Sequence, residues 1–194
     1  RIAGLFDSLI QDFPVGAFMW GRLNEENYHA YPYYEFLKNY KQTRYSPKNF
    51  NKLSDKKNDF KDKTIWAVLD GQQRINSIYL ALLGEMSYKV TKGHWEKKHN
   101  FRKFYLCVNL LHDLEDTPYG ITFVREEEIN KVKDNILWFK VRDMMSFKSK
   151  AAVNIWIEER IKSLPEDVIE ALNKKKTDED KIYAQKVLER LYEI

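Results

Sequence analysis

An apolar run from Ile65 to Leu69 stops at Asp70-Gly71, and a new apolar pattern starts directly after it, at Ile75, Ile78, Tyr79, Leu82 and Leu83. The run reads as a buried strand over 64–69. The pattern has the three- and four-residue spacing of one helix face and predicts a helix over 71–84. Asp-Gly between them is a turn pair. A chain committed to strand, glycine turn and helix in immediate succession is not an all-helical bundle, and the other elements agree. Strands separated by helices along the chain predict a mixed α/β (α+β) domain.

The joint itself is chemically suggestive. Backbone N–H groups at a helix N-terminus lack intrahelical partners, and the helix dipole adds positive potential, so an anion can be held there. Arg74 falls in the first helical turn, where a guanidinium can add a bidentate contact to phosphate oxygens. Asp70, Gln72, Gln73 and Ser77 surround the single small residue Gly71. The same pattern fits equally a plain strand–helix joint in which Asp70 caps the helix and nothing binds. In that case Arg74 pairs with a carboxylate such as Asp70 or Asp7.

Along the rest of the chain, Ile2, Leu5, Phe6, Leu9 and Ile10 form a helical stripe ending before Pro14. Residues 16–23 read as a strand and 33–41 as a short helix. Residues 41–63 hold little apolar content and read as a long loop. Strands are expected over 103–110, 119–124 and 137–141, the second running into an acidic helix start at Arg125-Glu126-Glu127-Glu128. From Lys150 the reading is helical, with one helix carrying Val153, Trp156, Ile157 and Ile161. A second opens at Pro165, and a third carries Ala184, Val187, Leu188, Leu191 and Tyr192. The expected organisation is an α/β domain over 1–147 and a helical extension, or the start of a second domain, over 148–194. The last apolar face runs to the chain end, which implies that the natural protein continues.

Charge is uneven. Nine Lys/Arg and three Asp lie between Lys38 and Lys63, a net +6 within an overall +4, with Tyr45 and Phe50 interleaved. A second basic stretch runs from Lys89 to Lys103. Basic segments with aromatics suit a polyanion, which makes Lys48, Lys52, Lys56 and Lys57 candidate DNA contacts. A solvated, basic surface loop explains them as well. The single cysteine, Cys107, sits in an apolar alternation and reads as a core thiol rather than a nucleophile. No apolar run approaches the ~18 residues of a membrane span, and nothing resembles a signal peptide, so a cytoplasmic protein is expected. The four histidines lie in unrelated contexts and form no metal-ligand spacing, and no structural metal is expected.

The string Asp70-Gly71-Gln72-Gln73-Arg74, with a hydroxyl residue at Ser77, resembles the signature of the GmrSD family of restriction proteins. Further matches lie in order: Leu5 to Ile10 followed by Phe13-Pro14-Val15-Gly16, then Tyr34-Glu35-Phe36-Leu37, Lys103 to Leu106 with Asn109, and Trp138 to Val141. The resemblance covers roughly residues 1–147. It implies a ParB/sulfiredoxin-like fold, a small mixed sheet flanked by helices. Asn76 stands where the family usually has Thr. A Tyr-Gln-Arg-like family segment that contributes to the same pocket would lie before Arg1.

The resemblance implies a domain that binds and hydrolyses a nucleoside triphosphate and regulates restriction of modified phage DNA. Gly71, Gln72, Gln73, Arg74 and Ser77 are then the nucleotide-binding residues, and Asp70, Gln73 and Arg74 the catalytic ones. Arg74 would neutralise developing charge, Gln72 or Gln73 would position water, and Asp70 is the candidate Mg²⁺ ligand. A nuclease half is expected in the same chain or a partner subunit, since no His-Asn-His pattern occurs here. The alternative is a non-enzymatic DNA-binding module using the same helix N-terminus for backbone phosphates. Sulfiredoxin chemistry is set aside, because it needs a cysteine where this turn has Gln72 and Gln73.

Overall fold

A computed structural model describes residues 1–24, 32, 34–42, 65–92, 94, 100–111, 120–131, 136–166 and 179–193. It shows a mixed α/β fold in two compact units. One combines Arg1–Pro14 with Lys103–Ile194, and the other is Val15–Arg102.

The first unit is organised around strand β5 (Phe101–Asn109), whose first two residues belong to the other unit. Strands β6 (Ile121–Arg125) and β7 (Trp138–Lys140) both pair antiparallel with it. Cys107 is opposite Thr122 on one side and Lys140 on the other. Leu106, Cys107 and Val108 are all essentially inaccessible, and since successive side chains point to opposite faces, this part of β5 is covered on both. Helix α1 (Ile2–Ile10) buries Phe6 and Ile10 from its predicted stripe and packs near β6. It ends where Asp12 takes φ 59°, a left-handed conformation that Asp tolerates better than most side chains. The Asp12 carboxylate is met by Arg190 at 2.7 Å.

The C-terminal helices belong to this same unit. Helix α3 (Lys150–Lys162) is started by Ser149, whose Oγ accepts from the Ala152 amide at 3.2 Å. It buries Val153 and Ile157, and Trp156 meets Phe139 of β7 edge-to-face at 5.0 Å. Helix α4 (Glu179–Glu193) buries Val187, Leu188 and Leu191, three of the residues that the helical spacing picks out. The helix expected from Pro165 falls mostly outside the described residues.

In the second unit, β1 (Met19–Leu23) and β3 (Ile65–Asp70) form an antiparallel ribbon. Helix α2 (Gln72–Leu82) follows β3 after one residue, and β4 (Glu85–Lys89) follows α2. β4 pairs in parallel with β2 (Asn39–Lys41). A parallel pair needs a crossover connection, and the chain between β2 and β4 contains α2.

Several expectations are corrected by long-range partners. Of the helix expected over 33–41, residue 33 lies outside the described residues, 34–38 are irregular and 39–41 are β2. The Leu37 amide donates to Asn76 Oδ1 of α2 at 2.8 Å, and the Lys38 carbonyl accepts from Glu85 N at 3.3 Å. Groups engaged that way are not available for i→i−4 bonds. The strand expected from residue 16 begins only at Met19. The acidic helix start is a single 3₁₀ turn, Glu126–Glu128, and a longer 3₁₀ segment, Val141–Ser146, follows β7 directly. β4 is an element the sequence analysis did not include.

Asn109 ends β5 and is a buried polar side chain. Its Oδ1 accepts from the amides of Leu137 (2.9 Å) and Leu111 (3.2 Å), fixing the chain on both sides of the strand end. Replacing Asn109 by Ala leaves the Leu137 amide without that acceptor in a buried place. The expected loss is about 1–3 kcal/mol, read as a lower urea midpoint at unchanged m-value.

Candidate functional site

The strand–turn–helix joint forms where the sequence suggests, with Gly71 at its centre, but β3 is not the buried strand expected. None of Ile65–Asp70 is buried, Trp66 and Leu69 are exposed, and α2 buries Leu80 and Ala81 instead of the expected face. Gly71 is the N-cap of α2 and has φ 84°, the left-handed region open to glycine at low strain. A Cβ at this position would stand 2.5 Å from Phe18 Cδ1 and 3.2 Å from Arg74 Nη2. Glycine is therefore required twice, by backbone angle and by space.

Asp70 does not cap the helix in the usual way. Its Oδ1 accepts from the Gly71 amide at 2.7 Å, one position too early to reach the first-turn amides. No side chain caps α2 among the described residues, and its first internal bond runs from Ile75 N to the Gly71 carbonyl at 3.0 Å. The amides of Gln72, Gln73 and Arg74 thus precede the first intrahelical donor, at the positive end of the helix. They border an open cleft of about 470 Å³ lined by Leu69, Asp70, Gly71, Gln72, Gln73 and Arg74.

Arg74 is arranged differently from a free phosphate fork. One terminal nitrogen donates to the Val15 carbonyl and the other to the Ala17 carbonyl, the latter at 2.8 Å. The guanidinium lies over the Phe18 ring, 4.9 Å from its centroid, and Nη2 is 3.6 Å from Asp70 Oδ2. The Arg74 side chain is 26% exposed, whereas that of Asp70 is 72% exposed. The carboxylate partner that the sequence left open between Asp70 and Asp7 is Asp70. Gly16, with φ 82°, admits this arrangement, because a Cβ there would lie 2.5 Å from Arg74 Nη1.

The other expected ligands divide. Gln72 Nε2 donates to the Val68 carbonyl at 3.0 Å and so is fastened across the turn. Gln73 is exposed at the cleft. Ser77 is one turn further on, and its Oγ donates to the Gln73 carbonyl at 2.7 Å. Lys48, Lys52, Lys56 and Lys57 lie outside the described residues. Cys107 is fully buried in the first unit, and desolvation pushes its thiol up to about 12, which keeps it protonated and unreactive.

Sequence reasoning missed Phe18, Val15 and Ala17. Phe18 walls the turn at Gly71 and carries the guanidinium, while the two carbonyls orient it. Gly16 after Pro14 was the available signal, since a glycine in a tight turn often marks close approach by another group.

The donor set fits a phosphate. Three adjacent amides at a helix start, a cleft beside them and a nearby fixed cation are the elements of an oxyanion site. For a divalent cation the residues lining the cleft offer one carboxylate, Asp70, which is too few for an all-protein cage. Among the described residues, no three His, Cys, Asp or Glu side chains converge as a metal cluster.

Gly71→Ala should destabilise the protein by about 2 kcal/mol, from left-handed strain on an Ala and the clash with Phe18. Arg74→Ala should also lower the melting temperature, because the Val15 and Ala17 carbonyls lose their donors, at about 1.5–3 kcal/mol. Arg74→Lys should recover less than half of that loss, since an ammonium cannot bridge both carbonyls as a planar fork does. Thermal and urea unfolding of the three variants check this; a fully stable Arg74→Ala would remove the anchoring role.

The family model described as "GmrSD restriction endonuclease, N-terminal domain" matches residues 1–194. No curated protein matches the chain. With the match running the full length of the sequence, this α/β chain belongs to the family of GmrSD restriction endonuclease N-terminal domains.

Proposed function

We propose that the chain is a nucleoside-triphosphate-binding and -hydrolysing regulatory domain of a modification-dependent restriction system. The Asp70-Gly71-Gln72-Gln73-Arg74 turn, as the signature of a ParB/sulfiredoxin-like domain, would be its phosphate site. The observation that carries the reading is the left-handed Gly71 N-cap, after which Gln72, Gln73 and Arg74 begin the helix along an open cleft, with no side chain capping it among the described residues.

In this reading the backbone holds the phosphate and side chains tune it. The three amides bind the terminal phosphate oxygens. Arg74 contributes charge from a fixed position, with two of its donors engaged by Val15 and Ala17. Such preorganisation stabilises developing charge with little rearrangement. Gln73, exposed at the cleft, is placed to orient a water molecule. Asp70 supplies the carboxylate for Mg²⁺, whose chemistry here is neutralisation of phosphate charge. DNA is the second partner, reached in part through Lys48, Lys52, Lys56 and Lys57, and the nuclease resides elsewhere in the chain or in another subunit.

Two experiments test these assignments. Titration with each of the four triphosphates and Mg²⁺ should raise the melting temperature, the stabilisation reaching about 2.7 kcal/mol at a hundredfold excess over Kd. Asp70→Asn should keep metal-free nucleotide binding or tighten it, by removing a negative charge from the helix start, and should lose Mg²⁺-dependent turnover. Absence of any shift with all four nucleotides rejects the reading, and full turnover in Asp70→Asn rejects that carboxylate as the metal ligand.

For the DNA interaction, replacing Lys48, Lys52, Lys56 and Lys57 with Gln should weaken binding. The slope of log K against log salt should flatten by up to ~0.9 for each phosphate that a lysine no longer neutralises. Unchanged affinity and slope would place the DNA surface elsewhere.

A further inference from the structure

We infer that the face of the β1–β3 ribbon that carries Trp20 and Trp66 is a stacking platform for unpaired bases of a nucleic-acid strand, with these two indoles as its plates. The inference is independent of nucleotide binding at the Gly71 turn.

The register defines the face. Trp20 is opposite Val68 and Arg22 is opposite Trp66, so all four residues point to the same side of the two-stranded ribbon. Trp66 is 60% exposed and Trp20 49% exposed. Tryptophan is the largest apolar side chain and is highly buried on average. A single exposed indole is unremarkable, but two on one narrow ribbon form a patch that calls for an occupant. The indoles stand at diagonal positions, where Cβ atoms lie roughly 7–8 Å apart. That is about twice the ~3.4 Å spacing of stacked bases along a strand, so each indole has room for a base of its own.

The surroundings favour a polyanion over a protein. Arg22 shares the face and is exposed. The strand that carries Trp66 ends at Asp70, where the uncapped amides of α2 begin. The sequence entering β3 carries the net +6 between Lys38 and Lys63. The Trp20 ring lies 6.5 Å from that of Phe18, tilted by 43°, and Phe18 in turn carries the Arg74 guanidinium. Aromatic plates interleaved with positive charge are how proteins hold single strands with little sequence preference. A docking helix or strand from a protein partner gains from that charge only if it is itself acidic.

The test uses a short fluorescent oligothymidylate, the matching oligouridylate and an abasic strand of the same length, with binding read by anisotropy. The protein should bind the base-bearing strands roughly tenfold more tightly for each engaged indole than the abasic strand, and the ratio of the first two shows whether DNA or RNA is preferred. Trp20→Ala/Trp66→Ala should bind all three strands alike, at the level the unaltered protein shows for the abasic one. Trp20→Phe/Trp66→Phe should recover most of the difference. Equal affinity of the unaltered protein for abasic and base-bearing strands overturns the proposal, and that arm needs no variant to fold. Unchanged strand binding in the double Ala variant, with altered sedimentation, also overturns it and assigns the face to self-association.

Discussion

The guanidinium of Arg74 is the fixed point of the second unit's candidate site. It holds the Val15 and Ala17 carbonyls, rests on Phe18 and faces Asp70. Each contact depends on another. Phe18 can lie beneath the guanidinium only because Gly71 has no Cβ, and the Val15–Ala17 turn can close on it only because Gly16 has none. Two glycines far apart in sequence therefore serve one arginine. Hydrogen bonds from a charged donor to two carbonyls are stronger than neutral ones, and they set where β1 leaves the turn to pair with β3.

That arrangement decides what kind of anion site the joint can offer. An arginine turned outward would give a mobile fork; here the charge is held still and part of its donor set is engaged. The amides at the start of α2 are left to make the directional contacts. Asp70 sits beside them, exposed, with one oxygen on the Gly71 amide and the other near Arg74. A carboxylate in that place competes with an incoming phosphate unless a divalent cation or the arginine offsets its charge. In the proposed phosphate-binding role, the site is thus a balance among one helix start, one cation and one carboxylate.

The first unit follows a different physical logic. Its centre is a strand paired on both sides, and the elements around it are attached by apolar burial: Phe6 and Ile10 from α1, Val153 and Ile157 from α3, Val187 and Leu188 from α4. Cys107 lies fully inside, where desolvation keeps the thiol neutral. Asn109 is one of the few buried polar groups, and it is fully engaged in fixing the strand end.

Much of this was legible in the sequence, and the boundary has a physical cause. Apolar patterning located α1, β3, α2, β5, α3 and α4, and for β5 the continuous apolar run reflects burial on both faces. For β3 and α2 it located the element but not its burial, since β3 buries no residue and α2 buries Leu80 and Ala81. Asp70-Gly71 marked the turn, and the left-handed angle at Gly71 is what a glycine there suggests. Segments whose backbone partners are distant were not legible. Residues 34–41 look helical in isolation, yet Asn76 and Glu85 take their hydrogen bonds and β4 draws them into a parallel pair. Likewise the sequence placed Arg74 at the helix start by itself, but only the tertiary structure decided which way it turns. Its partners Val15, Ala17 and Phe18 lie more than fifty residues away, and no local pattern encodes contacts closed over that distance.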